Sequence, residues 1–319
     1  MNEFESGILD LKPDLGNFRS EFLRGMTSSP KELNPKFFYD EAGSRLFDEI
    51  TGLDEYYPTR TEISILKSHC KDLSDISSTV KTVIELGSGN GEKGEILINC
   101  MPYLKKYVFV DISASSLEKA LRSGSSKSSN IVRKGIRCDF STIDRVLSGM
   151  FPETKLLVFL GSTLGNMEPA EVDNFLLRMA KVLNTGDLIA LGIDLRKDIR
   201  ILEAAYNDSK GVTAKFNLNI IRRAQRELHV PLNVDDFTHL AFYNEKKSRI
   251  EMHLVSRKNI LFEMDGVKIV IKKGETIHTE NSYKYSADEL SDKLERAGFH
   301  DITVWKDPGA NFAIINGSK

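Results

Sequence analysis

The sequence predicts a doubly wound α/β fold carrying a second, α+β unit, on three observations. Short apolar runs alternate with helical stretches from about residue 60 onward. A glycine-rich turn, ELGSGNGEKG, follows the first of those runs. Past residue 196 the alternation gives way to strand-like segments joined by tight turns, before a helix and two strands close the chain. Strands alternating with helices argue for right-handed βαβ units and an open parallel sheet.

Each element has its own justification. TVIELGS (82–88) is rich in β-formers, and the helical GEKGEILINCM follows its turn. KKYVFVDIS (105–113) is a second strand with SSLEKALRS as its helix, and a third strand ends near IRCDF (136–140). LLVFLGS (156–162) is apolar throughout, the mark of a strand buried on both faces. PAEVDNFLLRMAKVL (169–183) spaces its apolar residues three and four apart, the helical period, and DLIALGIDL (187–195) is a fifth strand.

VTAKFNLNIIRRAQREL (212–228) predicts a further helix. HLAFYNEKKSRIEMHLVSR and ILFEMDGVKIVIKKGE predict antiparallel strands with tight turns such as MDG. SADELSDKLERAGF (286–299) returns to helix, with Ser286 as N-cap and Glu289 at the capping-box position. DITVW and NFAIIN finish the chain around the turn DPGA. The α/β domain is therefore expected at 61–196 and 285–319. The first sixty residues match neither sheet pattern and are assigned with 197–284 to the second domain.

Composition excludes several function classes. The chain of 319 residues is 40% hydrophobic and 28% charged, as in ordinary globular proteins. Its net charge of −2 gives no general pull toward nucleic acid or anionic membrane. No apolar run approaches the roughly 20 residues that span a bilayer, and the acidic start MNEFESGILDLKPDL lacks the order of a signal peptide. Cys70, Cys100 and Cys138 are scattered without metal-site or CxxC spacing, which fits a reducing cytoplasm. The six histidines form no HxxxH or HExxH pattern, and no metal is expected. A cytoplasmic, monomeric protein is expected.

The chemistry begins at the glycine turn. Gly87, Gly89 and Gly91 follow the first strand directly, where glycine lets the backbone turn sharply and approach a bound cofactor. Asp111 ends the second strand, where an acid holds the hydroxyls of a ribose. A tight βα turn with an incidental aspartate is the plainer alternative, and the strand–turn–helix context weighs against it. GxGxG preceded by Glu85 differs from the GxGxxG of dinucleotide enzymes. The closing helix, strand, turn and strand are how the sheet of a class I S-adenosylmethionine-dependent methyltransferase finishes. In such folds Asp139 would accept from the adenine amino group with Phe140 beside the ring, and core packing is the alternative for Phe140.

Ligands sit outside the carboxyl ends of strands in open α/β sheets, so FLGSTLGNM places Gly161, Gly165 and Asn166 beside the methyl donor. Asn166 there can hold a substrate amine in line with the methyl carbon, and a loop cap is its plainer reading. In HTENSYKYS, Glu280 and Ser282 stand two apart and so share one strand face. Taken alone, a solvated strand is the better reading of them.

FFYDEAGSRLFDEIT, EYYPTRTE, ELGSG followed by EK, VDIS, FLGSTLGN, EAAYND, FNLNIIRRAQREL, IEMHL and TENS occur in order from about residue 15 to the end. With them the chain resembles the histidine Nα-methyltransferases of ergothioneine biosynthesis, which convert L-histidine to its betaine, hercynine. The resemblance implies a class I methyltransferase sheet and a substrate-binding domain made from the N-terminal segment and the insert. It implies that S-adenosylmethionine is held by Glu85, Gly87, Ser88, Gly89, Lys93, Asp111, Asp139 and Phe140. Tyr56, Gly161, Asn166, Tyr206 and Met252 would contact the amino acid, with Asn166 and Tyr206 on its amino and carboxylate groups. Tyr39 would lie near the amine, and it and Asn166 would be the catalytic pair. Glu280 and Ser282 fall where the imidazole is recognised, and a neutral imidazole has one donor and one acceptor nitrogen for them to satisfy.

NGEK in place of small hydroxyl residues, and GNM in place of GNF, depart from the family pattern. Related fungal enzymes methylate a prenylated tryptophan, whose indole would make poor use of Glu280, so histidine ranks first. Two rivals come from other classes. A nicotinamide oxidoreductase lacks a visible hydride-site acid or base, and a non-catalytic S-adenosylmethionine-binding protein would not need the tyrosines, Asn166 and Glu280.

Overall fold

A computed structural model describes residues 7–13, 18–123, 130–139 and 142–319. The chain begins with β1 (Ile8–Asp10), α1 (Phe18–Thr27), β2 (Lys31–Glu32), α2 (Glu41–Thr51), α3 (Tyr57–Ser68) and α4 (Cys70–Ile76). The βα units follow as β3 (Thr82–Leu86), α5 (Glu92–Cys100), β4 (Lys106–Asp111), α6 (Ala114–Arg122) and β5 (Val132–Arg137). They continue through α7 (Ile143–Leu147), β6 (Lys155–Phe159), α8 (Pro169–Val182) and β7 (Leu188–Asp194). Next come α9 (Ile199–Ala204), α10 (Val212–Leu228), β8 (Phe237–Asn244), β9 (Arg249–Ser256), β10 (Ile260–Met264), β11 (Val267–Ile271) and β12 (Thr276–Tyr283). α11 (Ala287–Arg296), β13 (His300–Lys306) and β14 (Phe312–Ser318) finish it.

Two compact units result, one of Met1–Pro13, Pro58–Arg196 and Tyr283–Lys319, the other of Asp14–Tyr57 and Lys197–Ser282. The first holds an eight-stranded sheet in the order β1-β5-β4-β3-β6-β7-β14-β13. Its strands are parallel from β1 to β7, and β14 and β13 run antiparallel at the end. Every residue of β3 and β6 is buried, as a central strand of a parallel sheet covered on both faces requires. Ile84 and Leu86 face one helical layer while Val83 faces the other, so the sheet is covered on both sides. Ser286 and Glu289 close the capping box that starts α11.

Two expectations need correction. The N-terminal segment does not go wholly with the insert, because Ile8–Asp10 pair in parallel with Gly135–Arg137 and add an edge strand to the large sheet. Three residues carry too little pattern to be read as a strand. The cysteines are not all unpaired either. Cys70 and Cys100, 30 positions apart, form a disulfide with Cα atoms 5.1 Å apart, joining the start of α4 to the end of α5. Folding brings them together, which sequence spacing could not show. The third strand ends at Arg137, within IRCDF as expected, and leaves Asp139 in the loop beyond it.

In the second unit β2-β12-β9-β8 form a sheet, and β10-β11 a separate hairpin. Asp40 caps α2 by accepting from the Gly43 N–H at 2.7 Å, and Asn219 and Arg226 of α10 bind the same carboxylate. Burial alone would raise the Asp40 pKa; those donors hold it below the ordinary range. Gly43 must be glycine, since a Cβ there would stand 1.7 Å from the Phe38 carbonyl oxygen. FYDEAGS and FNLNIIRRAQREL are thus two halves of one helix–helix contact. Among the described residues no helix is long and apolar enough to cross a membrane.

Candidate active site

In the first unit the residues expected around the cofactor gather at the carboxyl ends of β3, β4 and β6. Gly87, Gly89 and Gly91 all take positive φ. Gly91 caps α5 in the left-handed region, and a Cβ on it would meet Ala120 Cα at 2.9 Å. The Asp111 carboxylate braces this turn, accepting from the N–H groups of Gly89 at 3.0 Å and Ser113 at 2.9 Å. Asp139 lies just beyond β5 and is half-buried, while Phe140 lies outside the described residues. Cys138 beside it is buried, and burial, then Asp139 and Asp111, push its thiol up to about 12.

Two polar atoms at this turn lack a partner among the described residues. Ser88 is buried with its Oγ unsatisfied, and so is Oε1 of the fully buried Glu85. The other Glu85 oxygen accepts from the Tyr107 hydroxyl at 2.8 Å. Burial pushes the Glu85 carboxyl up to about 7, against the pull of Lys93 and Tyr107. Native proteins rarely leave such groups unpaired, so a ligand rich in hydroxyl and amino groups suits this cradle. These residues fit S-adenosylmethionine.

β6 ends at Phe159, and the loop after it turns through Gly161 (φ 77°) and Ser162 (φ 56°) into a 3-10 turn, Thr163–Asn166. Asn166 is half-buried at its end. Lys93, at the second position of α5, donates to Glu62 at 2.9 Å.

In the second unit the three tyrosines are linked through aromatic contacts. Tyr39 meets Phe47 and Phe216, Phe47 meets Tyr56, and Tyr56 meets Tyr206 with ring centroids 6.4 Å apart. Tyr206 donates its hydroxyl to Ser282 Oγ at 2.8 Å. Glu280 and Ser282 are both buried, with Asn281 half-buried between them, so the pair does share a face. That face is not solvated. Strict alternation breaks just before it, where Thr279 and Glu280 are buried in succession. Met252 packs into the core of this unit at 1% exposure.

Sequence reading missed the groups that hold these residues in place. Asn217 of α10, fully buried, donates to His239 Nδ1 and the His253 carbonyl and accepts from the Thr279 hydroxyl. His239 Nε2 in turn donates to the Tyr206 carbonyl. Burial holds the His239 pKa below its ordinary value, so the ring is neutral with Nδ1 as acceptor. The asparagine in FNLN was the available signal, since a buried amide in a helix must bond to something.

Glu251, His253 and His278 also come together, their ligand atoms within 4.8 Å of one another. The Glu251 carboxylate already accepts from Arg249 at 2.7 Å, from Asn244 at 3.0 Å and from His253 at 3.2 Å. A buried guanidinium on that carboxylate opposes a dication, so the trio reads as a hydrogen-bonded and stacked array across β9 and β12.

Known proteins match this chain along nearly its whole length. The chain is 36% identical over 303 residues to the histidine N-alpha-methyltransferase of Mycolicibacterium smegmatis, covering 93% of each chain. It is 28% identical over 289 residues to ergothioneine biosynthesis protein 1 of Neurospora crassa, covering 86% of this chain and 32% of that one. It is also 28% identical over 321 residues to a 4-dimethylallyltryptophan N-methyltransferase of Claviceps purpurea, covering 92% of each. A family model described as histidine-specific methyltransferase, SAM-dependent, matches residues 18–318. With nearly its whole length matched, the chain belongs to the S-adenosylmethionine-dependent, histidine-specific methyltransferases.

Proposed function

We infer that this chain is an S-adenosylmethionine-dependent L-histidine Nα-methyltransferase that makes hercynine, a step of ergothioneine biosynthesis. The observation that carries the inference is the buried Glu280–Ser282 pair in a chain of this family. A buried carboxylate and a hydroxyl suit the N–H and the bare nitrogen of an imidazole, which an apolar pocket would leave unpaired.

Glu85, Gly87, Ser88, Gly89, Lys93, Asp111, Asp139 and Phe140 would hold the cofactor, with Asp111 on the ribose and Asp139 on the adenine. S-adenosylmethionine supplies an electrophilic methyl group when bound. Asn166 holds the amine so that its lone pair points at that carbon, and Tyr206 takes the carboxylate. Tyr56, Gly161 and Met252 shape the rest of the site. Alignment of this kind is worth much of a transfer barrier.

The amine must be neutral to attack, so the ammonium of histidine and of each methylated intermediate gives up a proton before transfer. Three transfers release three protons and leave a quaternary nitrogen. Tyr39 is the group proposed to pass the proton to water. The tyrosine faces tolerate the cationic product through cation–π contact, worth about 0.5–2 kcal/mol. The unit of Asp14–Tyr57 and Lys197–Ser282 is proposed to bind histidine, and the protein to act as a cytoplasmic monomer.

Methylation of a tryptophan derivative is the second reading, favoured by the 28% identity to the Claviceps enzyme. Incubation with labelled S-adenosylmethionine and each of the twenty amino acids, with products identified by mass, decides between them. Trimethylated histidine as the main product is expected; a labelled tryptophan with unlabelled histidine would overturn the reading.

A further inference from the structure

Glu62, in the EYYPTRTE stretch of α3, is fully buried and pairs with Lys93. Three neighbours confine its carboxylate. Lys93 Nζ donates to Oε2 at 2.9 Å. The Gly161 N–H stands 2.9 Å from both oxygens. Gly192 of β7 lies against it so closely that a Cβ there would be 1.8 Å from Oε1. Lys93 stands in the first turn of the helix after β3, Gly161 just past β6 and Gly192 near the end of β7, on the side where ligands of open α/β sheets bind.

We propose that Glu62 is a positioning residue for methyl transfer, fixing the Lys93 ammonium and the start of the Asn166 loop from one point. The proposal rests on the reading above, that this turn holds S-adenosylmethionine. A lysine on its four-carbon stem samples many rotamers, and a buried charged partner selects one. That rotamer packs close to Gly161, whose hypothetical Cβ would lie 3.2 Å from Nζ. The same carboxylate pins the Gly161 amide, so the loop running to Asn166 starts from a defined place. Glycine at 192 leaves the carboxylate the room it needs.

The test is a double-mutant cycle on the full chain, Glu62→Gln and Lys93→Met, read as S-adenosylmethionine affinity by calorimetry without histidine. Glu62→Gln is expected to weaken binding roughly tenfold, and to add less than about twofold once Lys93 is methionine. The S-adenosylmethionine KM of Glu62→Gln should rise roughly tenfold and kcat should fall as the Asn166 loop loses its anchor, with the histidine KM moving less than either, a split that general loosening of the fold would not give. Unchanged affinity in Glu62→Gln, or additive losses in the double variant, would overturn the proposal.

Should Glu62→Gln fail to fold, Glu62→Asp takes its place in the cycle. It keeps the charge but is one methylene too short to reach both partners, so weaker binding that depends on Lys93 is expected. Wild-type affinity in that variant would overturn the proposal equally. A wild-type protein that does not bind S-adenosylmethionine at all would instead overturn the functional reading on which this rests.

Discussion

Tyr206 and Ser282, 76 positions apart, share a buried hydrogen bond of 2.8 Å between their side-chain oxygens. The bond orients the serine hydroxyl proposed to meet the imidazole. Tyr206→Phe removes this hydrogen bond, and a net hydrogen bond is worth about 1 kcal/mol. The histidine KM is expected to rise roughly fivefold, with S-adenosylmethionine affinity unchanged. Steady-state kinetics and calorimetry check the two halves of that statement.

Glu280 sets side-chain selectivity. An unpaired, desolvated ring nitrogen costs about 1–3 kcal/mol, so Glu280→Ala should raise the histidine KM roughly tenfold or more. Replacing Glu280 and Ser282 together with apolar residues should shift preference toward larger apolar rings. The measurement is kcat/KM for histidine, tryptophan and phenylalanine in each variant; constant ratios would return the pair to a structural role.

Asp111→Ala removes the acceptor that braces the Gly89 and Ser113 amides as well as the proposed ribose contact. Charge-assisted bonds of this kind contribute about 1.5–3 kcal/mol. S-adenosylmethionine affinity should fall more than tenfold, by about that energy, while the histidine KM moves far less. Wild-type cofactor affinity would withdraw the ribose assignment.

Glu85 ties stability to pH in the ligand-free protein. Its folded pKa, about 7, lies above the ordinary 4.5. The stability of its protonated form is therefore fully present below pH 4.5 and is lost as pH rises through 7. The difference of 2.5 units corresponds to about 3 kcal/mol. Glu85→Gln keeps a neutral side chain throughout, so wild type should lose stability relative to it between about pH 4.5 and about pH 7. Denaturant midpoints near both pH values measure it, and parallel curves would contradict the assignment.

The disulfide closes a loop of 30 positions, for which chain entropy predicts about 3–4 kcal/mol. Reduction, or Cys100→Ser, should lower the urea midpoint accordingly. Equal midpoints with and without reductant would show that the bridge is not formed in solution.

Much of this was legible in the sequence, for particular reasons. LLVF announces a buried parallel strand by being apolar throughout, TVIEL and IALGID by their aliphatic and β-branched residues, and Ser286 with Glu289 marks a helix start by local chemistry alone. Glu280 and Ser282 were found because strand period is local too. What stayed hidden depends on distant pairing. Cys70 meets Cys100, Glu62 meets Gly161, and Asn217 meets Thr279 only once the chain has folded. The strand Ile8–Asp10 was missed because its partner, not its own three residues, defines it.

The thiol inventory has a practical side. The chain holds three cysteines, and two are joined while Cys138 is buried at 1% exposure with its pKa near 12. Thiolate is the reacting species, so maleimide dyes should leave the oxidised wild-type protein unlabelled. A cysteine introduced at an exposed position of each unit would then be a unique attachment point, without first removing the native ones. Tyr103, at 54% exposure, and Leu261, at 68%, are suitable hosts. Fluorescence energy transfer between them would report the distance between the units with and without cofactor.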